Sequence, residues 1–261
     1  MSHHNDVVRQ SFTVQAAAYA AQPWISDAER VARLVATAAP KTEDRVLDVA
    51  CGPGYVAEAF AQVCREVIGV DLTEAPLRLA EERCRARGVA HLSFITGNVQ
   101  QLPFTNGEFD LVVCRLAMHH FTEPQRVVTE MGRVCRPGGT IVLEDIVASE
   151  HTARAAYQHQ IEVLRDPSHV RTLPLSELLC LFRDAGIEVD RVITGSVVPE
   201  VERWLATTKA SPEHAAEVRH LIEADMAEDL SGTRPFRDEQ GRLRFHHLTA
   251  IVAGRKLCQG V

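Results

Sequence analysis

The sequence predicts an α/β fold built on a doubly wound, mainly parallel sheet, and two observations carry this prediction. Short β-branched runs alternate with helical patterns from Arg45 to Ile146, which is typical of successive βαβ units. The first run ends at Val49 and leads directly into a glycine-rich turn and a helical segment. Because 261 residues can bury one full core, we predict a single domain over residues 1–261.

Each predicted strand is a short β-branched or apolar run bounded by turn residues. The predicted strands cover residues 45–49, 66–70, 92–96, 109–114, 140–146, 187–194 and 243–253. Before the fifth strand, apolar residues such as Val127 and Met131 recur at helical spacing and predict a helix over Pro124–Val134. That apolar stripe should pack the helix on the sheet.

The chain is predicted to form four consecutive regions. These are a helical arm over 1–40, a cofactor-binding core over 41–147, helical cover insertions around the sixth strand over 148–242, and the last strand over 243–255. Within the cover we predict a helix over 152–164, another from Ser176 as N-cap to Gly186 beyond its C-cap, and helices across 200–230. The acidic run from Glu223 to Asp229 is expected to face water.

Charge and hydropathy exclude some classes of partner. The net charge is −7 and no long basic run is present, which argues against a nucleic-acid partner. No segment approaches the roughly 20 uncharged apolar residues that a membrane helix needs, so no membrane partner is expected. The polar start from Met1 to Gln10 is unlike a signal peptide, so we expect a cytoplasmic protein. The oligomeric state is not readable from the sequence.

The strongest local signal is the turn after the first strand, where Gly52 and Gly54 follow Asp48. Glycines let the backbone approach a ligand closely, and the N-terminus of the next helix favours polar or anionic groups. The run from Gly52 to Ala57 also fits G-x-G-x-x-A, so a nicotinamide-dependent oxidoreductase is an alternative. Asp48 favours a ligand with an ammonium or sulfonium charge, because its carboxylate would repel a pyrophosphate.

Two later segments complete a slot for an adenosine. Asp71 ends the second strand and suits the hydroxyls of a ribose, which both kinds of cofactor possess. Asn98 follows the third strand and offers an amide to an adenine amino group, and the segment from Leu102 to Phe104 offers an apolar floor. Together with Asp48, these residues predict a site for an adenosine with a positively charged tail.

The span from Val46 to Ile146 resembles the class I S-adenosylmethionine (SAM)-dependent methyltransferases of the ubiquinone/menaquinone-biosynthesis type. Four motifs match in order: the turn from Asp48 to Gly54, Asp71, the segment 97–104, and Arg136-Pro137-Gly138-Gly139. The resemblance implies SAM as the cofactor and a Rossmann-like, seven-stranded sheet whose last strand is antiparallel. The residues expected to bind the cofactor are Tyr19, Asp48, Ala50, Gly52, Gly54, Asp71, Leu72, Asn98, Val99, Arg115 and His120.

Two positions depart from the family pattern. Ala50 stands where the family usually has glycine, and Asn98 stands where it usually has aspartate. Asn98 can still accept a hydrogen bond from an adenine amine through its amide oxygen. In the arm, Phe12 and Tyr19 resemble aromatic lid residues over the cofactor, with ordinary helix packing as the alternative.

Methyl transfer from a sulfonium is a direct displacement, so the enzyme must align the reactants, exclude water and, for protic acceptors, remove a proton. The loop from Arg115 to Phe121 follows the fourth strand, and in the family it lines the path between methyl group and acceptor. His119 or His120 is the candidate catalytic base, and adjacent histidines in a regular element cannot both face one pocket. His119, His169 and Arg171 are candidate acceptor contacts, with a solvated loop as the alternative for the last two.

We therefore predict a SAM-dependent methyltransferase with a small-molecule acceptor. A SAM-binding protein that does not methylate is a further alternative, beside the nicotinamide-dependent oxidoreductase named above. No Asn-Pro-Pro-Tyr-like loop follows the fourth strand, which disfavours amine methylation on proteins or nucleic acids. Glu144 and Asp145 could bind substrate or begin the polar network of the cover insertions. No convergent ligands accompany His246 and His247, so no metal site is predicted.

Overall fold

The computed structural model describes residues 3–258. Its strands are β1 (Arg45–Val49), β2 (Glu66–Asp71), β3 (Leu92–Thr96), β4 (Phe109–Arg115), β5 (Cys135–Ile146), β6 (Ile187–Val197), β7 (Phe236–Arg237), β8 (Leu243–Arg244) and β9 (His247–Lys256). Its helices are α1 (His3–Ala20), α2 (Pro23–Ser26), α3 (Ala28–Ala38), α4 (Tyr55–Ala61), α5 (Glu74–Ala86), α6 (Pro124–Val134), α7 (Thr152–Arg165), α8 (Leu175–Asp184), α9 (Val201–Thr208) and α10 (Pro212–Glu228). A 3-10 turn covers Met118–His120.

The main sheet has seven strands in the order β3-β2-β1-β4-β5-β9-β6. The first five strands pair in parallel, and β9 runs antiparallel between β5 and β6. The predicted doubly wound sheet with an antiparallel last strand is therefore confirmed. Asp48 of β1 pairs with Gly69 of β2 and Val113 of β4, so the carboxyl ends of these strands meet at one edge. Ligands bind at such an edge in open α/β sheets.

Apolar side chains pack on both faces of the sheet, as expected for buried parallel strands. On one face, Leu34 of α3 and Phe60 of α4 are fully buried in one cluster. On the other face, Met131 of α6 and Phe182 of α8 are fully buried in a second cluster. A third cluster, around Trp204, joins the cover helices α7, α9 and α10. The predicted helix over Pro124–Val134 and the helical cover are thereby confirmed.

Two details of the cover differ from the sequence predictions. The helix predicted to begin after Ser176 begins at Leu175, and the amide and hydroxyl of Ser176 donate to the carboxylate of Glu150 instead of capping the helix. Gly186 does follow the C-cap, with a φ of +69° that glycine adopts readily. In the acidic run, Asp225 is buried rather than solvated, because it accepts hydrogen bonds from the amide and hydroxyl of Ser231.

The last predicted strand is two strands. Leu243–Arg244 pairs with Phe236–Arg237 in a separate hairpin, whereas His247–Lys256 joins the main sheet. The amide of His246, between them, donates to Thr233 O at 2.7 Å. That hydrogen bond holds residue 246 against the preceding loop. The strand is therefore interrupted there, although the sequence pattern predicts one continuous strand. As the alternation predicts, His247 is more buried than His246.

The predicted motif before strand five lies inside the strand. Pairing between β4 and β5 shifts register from Phe109 opposite Cys135 to Leu111 opposite Thr140, so the motif residues form an irregularity in β5. A Cβ on Gly139 would lie 2.6 Å from Cys135 Sγ and 2.8 Å from Asp110 O. Glycine is therefore required at this position by close packing.

The prediction of a single domain stays a prediction, and residues 1–2 and 259–261 of its range lie outside the described residues. The helical arm predicted over 1–40 corresponds to α1, α2 and α3 where it is described. Among residues 3–258, every helix is too short or too polar to cross a membrane.

Replacing Gly139 by alanine should destabilise the fold by about 3 kcal/mol, because the new methyl group would overlap backbone that cannot move aside. Replacing Gly195 is the matched control, since a Cβ there would meet only Thr249 Oγ1 at 3.7 Å. Chemical denaturation of the two variants measures the difference in the free energy of unfolding. Equal free energies of unfolding for the two variants would show that the irregularity in β5 tolerates a side chain.

Candidate functional site

The turn between β1 and α4 is held by its own backbone. Cys51 N donates to Val70 O at 3.0 Å, and Gly54 N donates to Cys51 O at 2.9 Å. Asp48 Oδ2 accepts from Ala57 N at 3.0 Å, which ties the start of α4 to the end of β1. The turn therefore presents a fixed backbone surface to the edge of the sheet.

Three residues of the turn have left-handed backbone: Ala50 at φ +55°, Gly52 at +50° and Gly54 at +73°. This conformation costs an L-residue about 1 kcal/mol, which explains why the family pattern has glycine where this chain has Ala50. A Cβ on Gly54 would lie 2.8 Å from the ring of Phe94. Glycine at position 54 therefore allows both the left-handed backbone of the turn and the close approach of the Phe94 ring.

A first cavity of about 970 Å³, including space open to solvent, lies against this turn. Its walls come from α1, the carboxyl ends of β1, β2 and β4, and the segments that follow them. Gly54 is not on its wall, although it was predicted to bind the cofactor. The other residues predicted for the cofactor all line it: Tyr19, Asp48, Ala50, Gly52, Asp71, Leu72, Asn98, Val99, Arg115 and His120.

Asp71 organises the end of β2. Its Oδ2 accepts from Gly52 N at 2.8 Å and its Oδ1 accepts from Thr73 N at 2.9 Å. Each carboxylate oxygen keeps a further lone pair for a ligand hydroxyl. Asn98 Oδ1 accepts from Gln100 N at 3.0 Å and keeps one further lone pair. An adenine amine would have to share that oxygen.

Burial sets the electrostatics of the first cavity. Desolvation raises the pKa of Asp48 to about 8, with the hydrogen bond from Ala57 N opposing the shift. Desolvation also raises the pKa of Asp71, against the backbone hydrogen bonds that it accepts. Removing the charged form from water is costly, so a cationic ligand would relieve that cost. The cavity therefore favours a ligand that carries positive charge near Asp48.

Arg115 lines the cavity but its donors are already engaged. Its Nε donates to Glu144 at 2.9 Å, and its terminal nitrogens donate to Trp24 O and Ile25 O, each at 2.9 Å. Glu144 also pairs with Arg30 of α3. The polar partners of Glu144 thus lie on β4 and α3 and not in the cover insertions. This network holds α2 against the end of β4.

A second cavity of about 620 Å³ adjoins the first. The residues on the walls of both are Phe12, Tyr19, Ile25, Leu116 and His120. Four aromatic side chains line the second cavity together with both histidines of the 3-10 turn and several charged residues of the cover. A ligand in each cavity would therefore be separated only by this shared wall.

His119 is bound to Asp145, which is 1% exposed at the end of β5. Asp145 Oδ1 lies 2.6 Å from His119 Nδ1, and Oδ2 accepts from Met118 N at 2.6 Å. Burial lowers the pKa of His119, but the Asp145 charge outweighs it, so the pKa is raised. His119 is therefore suited to accept a proton, because the Asp145 carboxylate stabilises the positive charge that results.

His120 differs from its neighbour. Its Nδ1 lies 2.9 Å from Ser168 O, an acceptor, so Nδ1 carries the proton. Desolvation, with repulsion from His119, lowers the pKa of His120 to about 4 and keeps it neutral. Both histidines line the second cavity, contrary to the expectation that only one could face a pocket. The 3-10 turn allows this, because separate anchors at Asp145 and Ser168 fix the two rings 4.3 Å apart.

The other two predicted acceptor contacts lie behind the wall. The His169 ring is buried 5.6 Å from the His119 ring, but His169 lines neither cavity. Arg171 pairs with Glu177 through a half-exposed side chain, and only its backbone reaches the site, where Arg171 N donates to His119 O at 3.2 Å. Of the three predicted acceptor contacts, His119 alone lines the second cavity.

Several residues on the wall of the second cavity were not predicted. They are Gln15, Trp24, Arg30, Glu162, Arg165, Asp166, Trp204 and His247. These residues come from α1, α2, α3, α7, α9 and β9, which meet only through the tertiary fold. The alternation that turns His247 inward was the one signal in the sequence. Among residues 3–258, no three His, Cys, Asp or Glu side chains are arranged to hold a metal ion.

Comparisons with known proteins match these features. A family model described as a methyltransferase domain matches residues 47–143. The uncharacterized methyltransferase YcgJ of Bacillus subtilis (strain 168) is 34% identical over 194 residues, which are 74% of this chain and 77% of that protein. A ubiquinone biosynthesis O-methyltransferase of Thiobacillus denitrificans is 30% identical over 183 residues, 67% of this chain and 79% of that protein.

A solved structure from Bacillus halodurans, described as a methyltransferase, matches with a TM-score of 0.83 and 30% identity. The match covers 88% of this chain and 100% of that one. These matches favour the interpretation of the glycine turn as part of a SAM site over its interpretation as part of a dinucleotide site. With the sheet order, the lined cavity and relatives similar over most of their length, the chain belongs to the class I SAM-dependent methyltransferases.

Proposed function

We propose that this enzyme transfers the methyl group of SAM to a small molecule bound in the second cavity, by direct displacement. The observation that carries this proposal is that the two cavities share a wall made by Phe12, Tyr19, Ile25, Leu116 and His120. The first cavity holds the cofactor and the second holds the acceptor. A displacement needs the two reactants side by side and away from water.

The residues of the first cavity fit SAM. Asp48 is a buried carboxyl that a positive charge would help to ionise, and Asp71 has lone pairs available to ribose hydroxyls. Phe12 and Tyr19 pack edge to face at 5.6 Å and cover the cavity from α1. When bound, SAM supplies a methyl group on a positively charged sulfur.

Three histidines have separate proposed roles at the second cavity. His119 faces the acceptor and accepts a proton where the acceptor has one to lose. His120 stays neutral and lies on the wall common to both cavities. His169 supports His119 from behind, and Arg171 fixes the loop through its contact with Glu177.

The relatives support a small acceptor. The Thiobacillus relative is named for the biosynthesis of ubiquinone, a small molecule. With a net charge of −7, this chain offers little attraction to a nucleic-acid backbone. A cytoplasmic location and the absence of nucleic-acid and membrane partners stay predictions. A SAM-binding protein that does not methylate is the second candidate, because a fold alone does not specify the chemistry.

The proposed function is tested by incubating the purified protein with methyl-labelled SAM and a panel of hydroxyl, amine, thiol and carbon acceptors. We expect labelled product from at least one member of the panel. The Trp24→Ala variant, altered on the second cavity and not on the first, should lower turnover at least tenfold while binding S-adenosylhomocysteine (SAH) like the wild type. SAH binding without any labelled product would favour the protein that does not methylate.

The Asp71→Ala variant should bind SAH roughly 10 to 100 times more weakly, because charge-assisted hydrogen bonds contribute about 1.5–3 kcal/mol. Isothermal titration calorimetry measures the affinity, with NAD titrated alongside. Glu74→Ala is the matched control, since Glu74 is an exposed acid nearby that does not line the cavity. Unchanged SAH affinity in Asp71→Ala would contradict the ribose contact, and binding of NAD alone would reverse the assignment of the cofactor.

SAM affinity should increase with pH up to about 8, by at most about tenfold per pH unit, because the pKa of Asp48 is raised to about 8. Asp48 is then protonated at lower pH and cannot attract a cation. Titrations of the wild type and Asp48→Asn between pH 6 and pH 8 measure this dependence, which the variant should lack. Identical pH profiles would show that another group controls binding.

The same shift predicts the stability of the free enzyme. The folded protein holds the Asp48 proton more tightly than the unfolded chain, so stability falls as pH rises from about 4 through about 8. Asp48→Asn should reduce this fall in the unfolding free energy. Thermal melting across that pH range, without cofactor, measures it.

A further inference from the structure

We propose that the acceptor is an uncharged hydroxyl compound with an apolar ring, that the His119–Asp145 pair takes the proton of its reacting hydroxyl, and that Gln15 accepts a hydrogen bond from a second polar group. This inference rests on the proposed function and specifies the chemistry of the same site. His119 would be a catalytic residue and Asp145 a positioning residue.

The hydrogen bonds of Asp145 fix which nitrogen of His119 faces the acceptor. Besides the His119 ring, Asp145 accepts from Met118 N at 2.6 Å, His119 N at 3.3 Å and Ile146 N at 2.7 Å. A carboxylate only accepts, so His119 Nδ1 carries the proton and the lone pair lies on Nε2. Since His119 lines the second cavity, its Nε2 is the base available there.

The charged groups on the wall are already paired. Glu162 Oε1 lies 2.9 Å from His247 Nε2, and Arg165 lies within ion-pair distance of the same carboxylate. Asp166 Oδ1 accepts from the amide and hydroxyl of Ser168, at 2.9 and 2.6 Å. The Arg30 guanidinium pairs with Glu144 outside the cavity. A charged acceptor would have to break one of these pairs, so the wall favours an uncharged one.

The remaining wall is mostly apolar. Its buried polar atoms without a hydrogen-bond partner among the described residues include Gln15 Oε1 and Arg30 Nε. Phe12, Tyr19, Trp24 and Trp204 supply aromatic surface, which suits a ring. Gln15 is 2% exposed on the same wall, and its Oε1 has no hydrogen-bond partner among the described residues. An unpaired buried acceptor costs about 1–3 kcal/mol, which a donor on the ligand would recover.

The proton balance favours a hydroxyl. The acceptor oxygen bonds to the methyl carbon while the carbon–sulfur bond breaks with its electron pair going to sulfur, and the hydroxyl proton passes to His119 Nε2. The products are a methyl ether, SAH and an imidazolium held by Asp145. A protonated amine, with a pKa near about 10.4, would lose its proton to imidazole far less readily and would bring charge to a paired wall.

The test uses phenols that range from unsubstituted to nitro-substituted ones that are already ionised at neutral pH. With the unionised phenols, His119→Gln and Asp145→Asn should lower kcat/KM by about 100-fold or more. With the ionised nitrophenols the loss should be under about tenfold, because no proton remains to be removed. His220→Gln, exposed on α10, is the control histidine and should match the wild type throughout.

Two readouts separate proton acceptance from a structural role. Bound to the wild-type SAH complex, a nitrophenol should ionise, as read from its absorbance, at lower pH than when bound to His119→Gln. The wild-type kcat/KM should also have an acidic limb that His119→Gln lacks. The titratable groups facing His119 are Asp145 on β5, Glu162 and Asp166 at the end of α7, and the neighbouring rings of His120 and His169.

Gln15 is tested with ring compounds that carry one or two hydroxyls. The wild type should prefer the second hydroxyl by about twofold to tenfold in kcat/KM, and Gln15→Leu should lose that preference. An equal loss for unionised and ionised phenols in His119→Gln would overturn the proton transfer. Methylation of amines or thiols but of no hydroxyl compound would overturn the acceptor class and leave the proposed function intact. SAH binding without transfer to any acceptor would overturn both.

Discussion

The geometry of both cavities depends on one buried carboxylate, Glu144 at the end of β5. It receives Arg115 from β4 and Arg30 from α3, and Arg115 in turn donates to the backbone of α2 at Trp24 and Ile25. Breaking a buried charge pair by removing one partner costs about 3–5 kcal/mol, so the three charges are interdependent. Without them the sheet would keep its order, but the segment after α1 would lose its attachment to the end of β4. The arm covers the site because this network holds it there.

The residue after Glu144 points to the other side of the strand, as β geometry requires, and there Asp145 organises the 3-10 turn. The two adjacent acids therefore have different structural roles. Glu144 holds the arm, and Asp145 holds His119. Leu116 lies between Arg115 and the 3-10 turn, and its amide donates to Glu144 O at 2.7 Å. Its φ of +54° is unusual for a bulky residue. Leu116 lines both cavities, so this strained position lies where the two ligands would meet.

The cavity proposed for the cofactor could be predicted from the sequence because its signals are local. Asp48, Gly52 and Asp71 lie at the ends of strands whose periodicity is clear, and parallel strands bring those ends together. The cavity proposed for the acceptor could not be predicted in the same way. Glu162 and Trp204 are 42 residues apart on separate helices, and only the packing of α7 against α9 and β9 brings them to one wall. The 3-10 turn likewise escaped prediction, because three residues carry too little periodicity to reveal that His119 and His120 face the same cavity.

Covering both cavities with one helix couples the two halves. Phe12 packs edge to face on His120 at 5.1 Å as well as on Tyr19, and His4 Nε2 donates to His120 O at 2.9 Å. The contacts of Phe12 and His4 with His120 join α1 to the 3-10 turn, so ordering the arm over the first cavity also fixes a wall of the second. A ligand that immobilises Phe12 and Tyr19 reduces their conformational entropy. The second ligand then has less conformational entropy to remove when it binds. A direct displacement fails when either reactant is misplaced. Because the two cavities share side chains of one wall, a single structural element would align both the methyl group and the acceptor.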